Sequence, residues 1–255
     1  AQKALAQRAF SHDETTTAIS FVADPGCGKT RAVGRYIKLR QEQGVSLTFY
    51  VASTAYMAHK QSVEIGSDFK YCFQFQKQYL TIMHALMDGV SVMTTMTPTM
   101  LNKFLFGDWD DKAEGGDALG YFKTKVLWMV RGTQCTTIRF VLDEMHNYYN
   151  NDYALAFQAL RNAAAPTQVV VTGLTATPQD MEQEEIKSLT GCETSEVIKY
   201  TEKEVSDFDT ELRRQPKPGS WSAIRLRDPS RDENFRSAMN EIATLIVGSM
   251  LVGEK

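Results

Sequence analysis

The stretch that decides the architecture is TAISFVADPGCGKT, residues 17–30. Its first half, 17–23, is apolar and β-branched and is stopped by Asp24-Pro25-Gly26, which predicts a buried strand. Its second half, Ala23 to Thr30, fits the spacing G-x-x-x-x-G-K-[ST], with Ala23 in place of the first Gly. The segment that follows, 29–43, is helix-compatible, with Val33, Tyr36 and Ile37 on one face and Gly44 as a stop. A strand, a turn of small residues and a helix form the context in which backbone N–H groups turn inward around phosphate oxygens. The helix N-terminus adds partial positive charge there. On this reading Pro25, Gly26, Cys27, Gly28, Lys29, Thr30 and Arg31 hold nucleotide phosphates. Lys29 reaches the β- and γ-phosphates, and the Thr30 hydroxyl takes Mg²⁺. The bland alternative is an ordinary strand–turn–helix connection with a chance Gly-Lys-Thr. A dinucleotide fingerprint is not met, because Arg31 stands where a third Gly is needed.

Working outward, apolar strands alternate with helical patterns. Strands are predicted over 17–23, 47–52, 90–95, 137–142 and 167–172, with 69–75 as a further candidate. Helices are predicted over 29–43, 54–63, 79–87, 100–106 and 153–164. Continuous apolar strands separated by helices predict an α/β fold, a mainly parallel sheet with helices on both faces. Residues 107–117 are acidic and Gly-rich and read as a surface loop. Beyond about residue 200 the pattern weakens. A linker-like stretch, 213–220, precedes a helical pattern at 234–251 carrying Phe235, Met239, Ile242, Ile246 and Met250 at three- and four-residue spacing. The expected organisation is therefore one domain over 1–200, a linker over 201–234 and a helix over 235–255.

Composition excludes several classes. The 255 residues carry 28 Lys+Arg against 31 Asp+Glu, a net charge of −3, with 43 % hydrophobic and 23 % charged residues. This is an ordinary globular balance, unlike a basic-arm protein, yet it permits a locally positive groove. No apolar run reaches the roughly 18–20 residues that a membrane span needs. Cys27, Cys72, Cys135 and Cys192 are widely spaced with no C-x-x-C pair, which argues against a zinc site or a disulfide framework and for a reducing, cytoplasmic compartment. The chain starts Ala1-Gln2-Lys3 without a signal peptide pattern and reads as a piece of a longer polypeptide.

The second chemical motif is Phe140-Val141-Leu142-Asp143-Glu144-Met145-His146. Three apolar or aromatic strand residues run into two adjacent carboxylates, which a parallel sheet would present at its C-terminal edge, where ligands bind in open α/β folds. Asp143 would hold Mg²⁺ and Glu144 would orient or deprotonate an attacking water. A solvated acidic turn is the alternative for the pair taken alone. His146 alone reads as structural. The third motif, Gly173-Leu174-Thr175-Ala176-Thr177-Pro178, sets two hydroxyls beside a strand end; read in isolation it is a polar turn closed by Pro178.

GxGKT, then DEMH, then LTATP, in this order, resembles the superfamily 2 helicases of the DExH type, nucleic-acid motors with two RecA-like domains. The stretch 92–100 and Gly28-Lys29-Thr30-Arg31 are similar to the flavivirus-type and potyvirus-type viral RNA helicases, and for such a protein host cytoplasm is implied. The resemblance covers roughly 17–180. It implies a RecA-like domain that binds ATP with Mg²⁺, with Lys29, Asp143, Glu144 and His146 in the catalytic set, Thr30 and Asp143 on the metal, and Thr175 and Thr177 coupling the γ-phosphate to movement. It further implies contacts of Thr54 and Thr97 with the backbone of RNA, or of DNA. The family shows Pro-Thr-Arg where this chain has Ser53-Thr54-Ala55, which removes one phosphate contact. A helix N-cap is the equal alternative for Thr97. A second RecA-like domain is the implied partner. No Gln-x-x-Gly-Arg-x-x-Arg motif occurs in the sequence, so slow hydrolysis is expected of this piece. A DNA translocase of the same superfamily, a P-loop kinase and a non-catalytic nucleotide-dependent module are the competing readings. The aromatic stretch 71–79 reads as a core edge, with base stacking as the alternative.

Overall fold

The computed structural model describes residues 2–23, 27–66, 75–107, 121–176, 183–201 and 204. Strands β1 (Thr17–Val22), β2 (Ser46–Val51), β3 (Val92–Met96), β4 (Thr137–Asp143), β5 (Gln168–Thr175) and β6 (Thr194–Lys199) form one sheet in the order β3-β2-β4-β5-β1-β6. Every neighbouring pair is parallel. The helices are α1 (Gln2–Phe10), α2 (Lys29–Gln41), α3 (Ala55–Glu64), α4 (Phe75–Met87), α5 (Pro98–Phe106), α6 (Tyr121–Arg131), α7 (Asn151–Ala164) and α8 (Gln183–Thr190). The α/β class with a parallel sheet is therefore as the sequence predicts.

Alternation along the strands divides the core between the two faces. Leu47, Phe49, Val51, Phe140 and Leu142 pack with Phe104, Phe157, Leu160 and Leu189 on one face. Ile19, Phe21, Tyr50, Val141 and Leu174 pack with Leu5, Val33, Ile37 and Ala58 on the other. The Phe140 ring is the centre of the first face, 5.4 Å from Phe49, 5.6 Å from Phe104 and 5.3 Å from Phe157, centroid to centroid. Such offset and edge contacts add about 0.5–1.5 kcal/mol each to plain area burial. Within the second face Arg139 is 1 % exposed. Its charge is matched by Glu14, which also accepts from the Tyr36 hydroxyl at 2.7 Å and lies 3.4 Å from Arg40 Nε.

Some elements escape the sequence pattern. α1 is only nine residues long, and β6 is an edge strand with mostly exposed or half-exposed, polar positions. α6 follows the acidic stretch and shows no strong stop or start signal. The strand expected over 90–95 spans Val92–Met96, and β5 runs on to Thr175 because both its neighbours, β4 and β1, hydrogen-bond it along that length. Of the candidate strand 69–75, residues 69–74 lie outside the described residues, and Phe75 opens a helix instead, four residues before the predicted start at 79. The chain divides into two units, Ala1–Asp209 and Thr210–Lys255. The second unit, with the linker-like 213–220 and the helical pattern 234–251, lies outside the described residues, as do 108–117 of the acidic loop. Among the described residues no helix is long and apolar enough to cross a membrane, and Cys27, Cys135 and Cys192 form no disulfide with one another.

Candidate functional site

Because all six strands are parallel, their C-terminal ends share one edge, and that edge collects the residues singled out above. β1 ends beside Ala23 and the phosphate loop, β2 ends at Val51 just before Thr54, β3 ends at Met96 just before Thr97, β4 ends at Asp143, and β5 ends at Thr175. Register aligns these ends closely: Val22 pairs with Thr175, and Asp143 with Leu174. The sheet order puts the acid pair in the middle, with the phosphate loop to one side and Thr54 and Thr97 to the other.

Of the phosphate loop, Cys27 to Arg31 are described, and Pro25 and Gly26 lie outside the described residues. Gly28 is the residue before α2 and takes φ 76°, ψ 26°. That left-handed conformation costs a side-chain-bearing residue about 1–2 kcal/mol and costs Gly nothing. Lys29 and Thr30 open α2, and the Lys29 Nζ donates to the Ala23 carbonyl at 3.0 Å, folding the side chain back across the loop. The helix thus begins with no acidic residue in its first turn, a setting that favours a bound anion.

Asp143 and Glu144 are half-buried at the end of β4. Burial pushes the Asp143 carboxyl above the usual carboxylate range, and the Glu144 charge adds to this; a hydrogen bond from Gln61 and the Lys29 charge act against it. Glu144 takes φ 53°, ψ 57°, and among the described residues no other non-glycine has positive φ. Strain of this kind, about 1–3 kcal/mol, is held in place by the surrounding packing. The next residue, Met145, supplies that packing: it is fully buried, and Ser20 Oγ donates to its Sδ at 3.7 Å. The turn Met145–Tyr148 then aims His146 back at the sheet. His146 Nδ1 lies 3.3 Å from Thr175 Oγ1 and 3.7 Å from Glu144 Oε2. The ring therefore bridges the second and third motifs. Thr177 and Pro178 lie outside the described residues.

Thr54 and Thr97 occupy equivalent places after adjacent strands. Each is extended, and each side-chain oxygen accepts from a backbone N–H three residues on, Met57 at 3.2 Å and Met100 at 3.3 Å. Both are therefore N-caps, worth about 0.5–2 kcal/mol to their helices.

Four contacts of this edge were not visible in the sequence. Gln61, on α3, donates from Nε2 to Asp143 Oδ2 at 3.0 Å. Tyr50, on β2, is fully buried, and its hydroxyl lies within electrostatic reach of Asp143 and Thr30. Gln2 lies against the phosphate loop so closely that a Cβ on Gly28 would sit 2.2 Å from Gln2 Nε2. Gly173, paired with Ser20 and Leu142, leaves the space that Met145 fills: a Cβ there would sit 1.9 Å from Met145 Sδ. These are long-range contacts, and no local pattern announces them.

The donor set suits a hard divalent cation held with nucleotide phosphates. A threonine hydroxyl and one carboxylate leave most of the coordination to water and phosphate oxygens, which is the habit of Mg²⁺. Among the described residues no group of three or more His, Cys, Asp or Glu gathers to form an all-protein metal cage.

No protein-family model matches the sequence, and no curated protein matches it. Solved structures similar to this chain include the helicase domain of Hef from Pyrococcus furiosus, at 15 % identity and TM-score 0.49, over 79 % of this chain and 39 % of that one. The helicase MrfA, bound to DNA and AMPPNP, is similar at 17 % identity and TM-score 0.47, over 76 % of this chain and 26 % of that one. The ORC1 protein of Aeropyrum pernix, in complex with DNA, is similar at 16 % identity and TM-score 0.40, over 89 % and 52 %. The chain thus spans 39 %, 26 % and 52 % of these three proteins.

Proposed function

We propose that this chain is the ATP-binding, RecA-like domain of a DExH-type motor that works on RNA. The observation that carries the reading is the bridge from His146 to Thr175 at 3.3 Å, with Glu144 on the same ring nitrogen at 3.7 Å. A P-loop kinase needs no histidine joining its acidic strand end to the next strand. A motor has a use for such a link, because nucleotide state must reach a second set of residues.

In this reading the N–H groups at the start of α2 and the Lys29 ammonium bind the phosphates. Thr30 and Asp143 hold Mg²⁺, which would neutralise phosphate charge. Glu144 orients the attacking water and accepts its proton, and the left-handed backbone at Glu144 sets where that carboxylate stands. His146 links Glu144 to Thr175, so a change at the γ-phosphate is felt at the end of β5. Thr54 and Thr97 face a nucleic-acid strand from the far half of the edge; their capping role fixes the side-chain oxygen, which leaves the backbone around it to contact phosphate. Cytoplasmic action fits Cys27, Cys135 and Cys192, which form no disulfide among the described residues. No Gln-x-x-Gly-Arg-x-x-Arg motif occurs in the 255 residues. Arginines that reach the γ-phosphate would come from another domain or molecule, so this chain alone hydrolyses ATP slowly.

The test is ATP hydrolysis by the chain alone, and by any longer parent polypeptide, with single-stranded RNA or DNA of one sequence. The reading expects slow turnover by the chain and stimulation of the parent by RNA. Stimulation by DNA alone would make the protein a DNA motor of the same kind. Turnover by the isolated chain at a rate of roughly 1–100 s⁻¹, ordinary for phosphotransfer enzymes, would contradict the proposal.

A further inference from the structure

The hydrogen bond from Gln61 Nε2 to Asp143 Oδ2 spans 82 residues of sequence. It fixes the orientation of the amide, because a carboxylate only accepts, so the opposite rotamer would set two oxygens against each other. The consequence is that Gln61 Oε1 faces a buried position where it has no hydrogen-bond partner among the described residues. Gln61 as a whole is 3 % exposed. A second orphan lies nearby. The Tyr50 hydroxyl, on a fully buried side chain, interacts electrostatically with Asp143 and approaches Thr30, yet makes no hydrogen bond of acceptable geometry among the described residues. Native proteins pair buried polar atoms with protein, ordered water or an ion. Two unpaired oxygens beside one carboxylate therefore describe a built polar cradle.

A water that donates to both atoms satisfies them, and a cation-bound water is a donor of that kind. A water bound to a divalent cation has its lone pair committed to the metal and presents only protons. Mg²⁺ keeps several such waters. A glutamine oxygen and a tyrosine hydroxyl both accept hydrogen bonds, so both match a metal-bound water, whereas an apolar lining would not.

We infer that Gln61 is a positioning residue for the cation site: its N–H holds the Asp143 carboxylate, and its Oε1, with the Tyr50 hydroxyl, accepts hydrogen bonds from the hydrated cation's water. This rests on the reading of Asp143 as the Mg²⁺ carboxylate. It also gives α3 a role. The helix starts at the Thr54 cap and carries Gln61 seven residues later, about 10 Å along its axis. A rigid rod of two turns thus joins the strand-end threonine to the metal carboxylate.

The experiment titrates Mg²⁺ into the chain with a fluorescent ATP analogue, and repeats binding in excess EDTA, for the parent, Gln61→Met, Gln61→Asn and Asp143→Asn. Gln61→Met keeps the size and removes both polar atoms; Gln61→Asn keeps the amide but withdraws it by one methylene. Both are expected to raise the Mg²⁺ concentration for half-maximal binding about tenfold, which is about 1.4 kcal/mol, and to leave binding in EDTA unchanged. A cooperative melting transition shows that each variant is folded. If Asp143→Asn abolishes the Mg²⁺ response while both Gln61 variants keep the parental midpoint, the Gln61 inference is overturned and the functional reading stands. Equal weakening with and without Mg²⁺ also overturns it, since Gln61 would then only fill space. No Mg²⁺ response in the parent would overturn the functional reading and this inference with it.

Discussion

Replacing Gly173 with Ala tests how tightly the sheet sets the acid turn. The new methyl carbon would sit 1.9 Å from Met145 Sδ, 3.0 Å from its Cγ and 3.1 Å from its Cβ. Carbon contacts settle at about 3.5–4.0 Å. The sulfur must therefore retreat by roughly 2 Å against that contact distance, which a rotamer change can provide. Cγ and Cβ must also give by several tenths of an ångström, and they are tied to the backbone between Glu144 and His146. Met145 is fully buried, so it has no solvent into which to swing. Overpacking of this kind costs about 1–3 kcal/mol, and each kcal/mol lowers the melting temperature of a chain this size by about 2–4 °C. The decisive assay is a double-mutant cycle by urea unfolding. Met145→Ala alone costs about 2–5 kcal/mol by leaving a cavity, and it clears the space that the methyl needs. Gly173→Ala should then be close to neutral in the Met145→Ala background, a coupling of about 0.5–3 kcal/mol. If Gly173→Ala changes stability by less than about 0.5 kcal/mol with Met145 present, or costs the same in both backgrounds, this account of the packing is refuted.

Glu14→Ala leaves Arg139 buried without its carboxylate and should destabilise the fold by about 3–5 kcal/mol, while the remaining folded protein still binds nucleotide; urea titration with and without ATP reads both. Arg8 hydrogen-bonds Glu204 at 2.9 Å through two nitrogens and pulls its carboxyl from 4.5 down to about 2. A depressed folded-state value adds stability above pH 4.5 that is lost as pH falls from 4.5 toward 2. The melting-temperature gap between parent and Glu204→Gln should thus be full at neutral pH and close over that interval, and a gap constant with pH would contradict the pair's role. Thr54→Asp keeps an N-cap acceptor for α3 yet places negative charge where a nucleic-acid phosphate is proposed. It should leave the melting temperature within about 2 °C of the parent, a shift worth under about 1 kcal/mol, and weaken RNA binding several-fold in a filter-binding titration; undiminished binding removes Thr54 from the interface.

The parts of the site legible in the sequence are those whose chemistry is local. Gly28-Lys29-Thr30 and Asp143-Glu144-Met145-His146 declare themselves because a strand, a turn and a few side chains in fixed spacing suffice for the proposed chemistry. The parallel sheet follows from the apolar strands, and it alone brings Thr54, Thr97, Asp143 and Thr175 to one edge. The supporting contacts are invisible for the opposite reason. Gln61 reads as an ordinary polar residue on a helix and becomes significant only when α3 lies against the end of β4. Gly173 looks like the small residue of a turn, yet it sits within β5 and its role is to admit a side chain from the neighbouring strand's turn. Arg139 interrupts an apolar strand, and its partner Glu14 lies in a turn 125 residues earlier. β6 escaped because an edge strand needs little apolar character, and α4 began early because its first turn continues an aromatic pattern that suits either a strand or a helix.

The most direct measurement is Mg²⁺-dependent binding of a fluorescent ATP analogue to this chain and to Lys29→Ala, with cooperative melting as the check on folding. The account predicts saturable, Mg²⁺-enhanced binding by the parent and its loss, by at least about tenfold in affinity or about 1.4 kcal/mol, in Lys29→Ala. Equal binding by both chains, or none by the folded parent, would contradict the assignment of the loop at Gly28-Lys29-Thr30 as a nucleotide site.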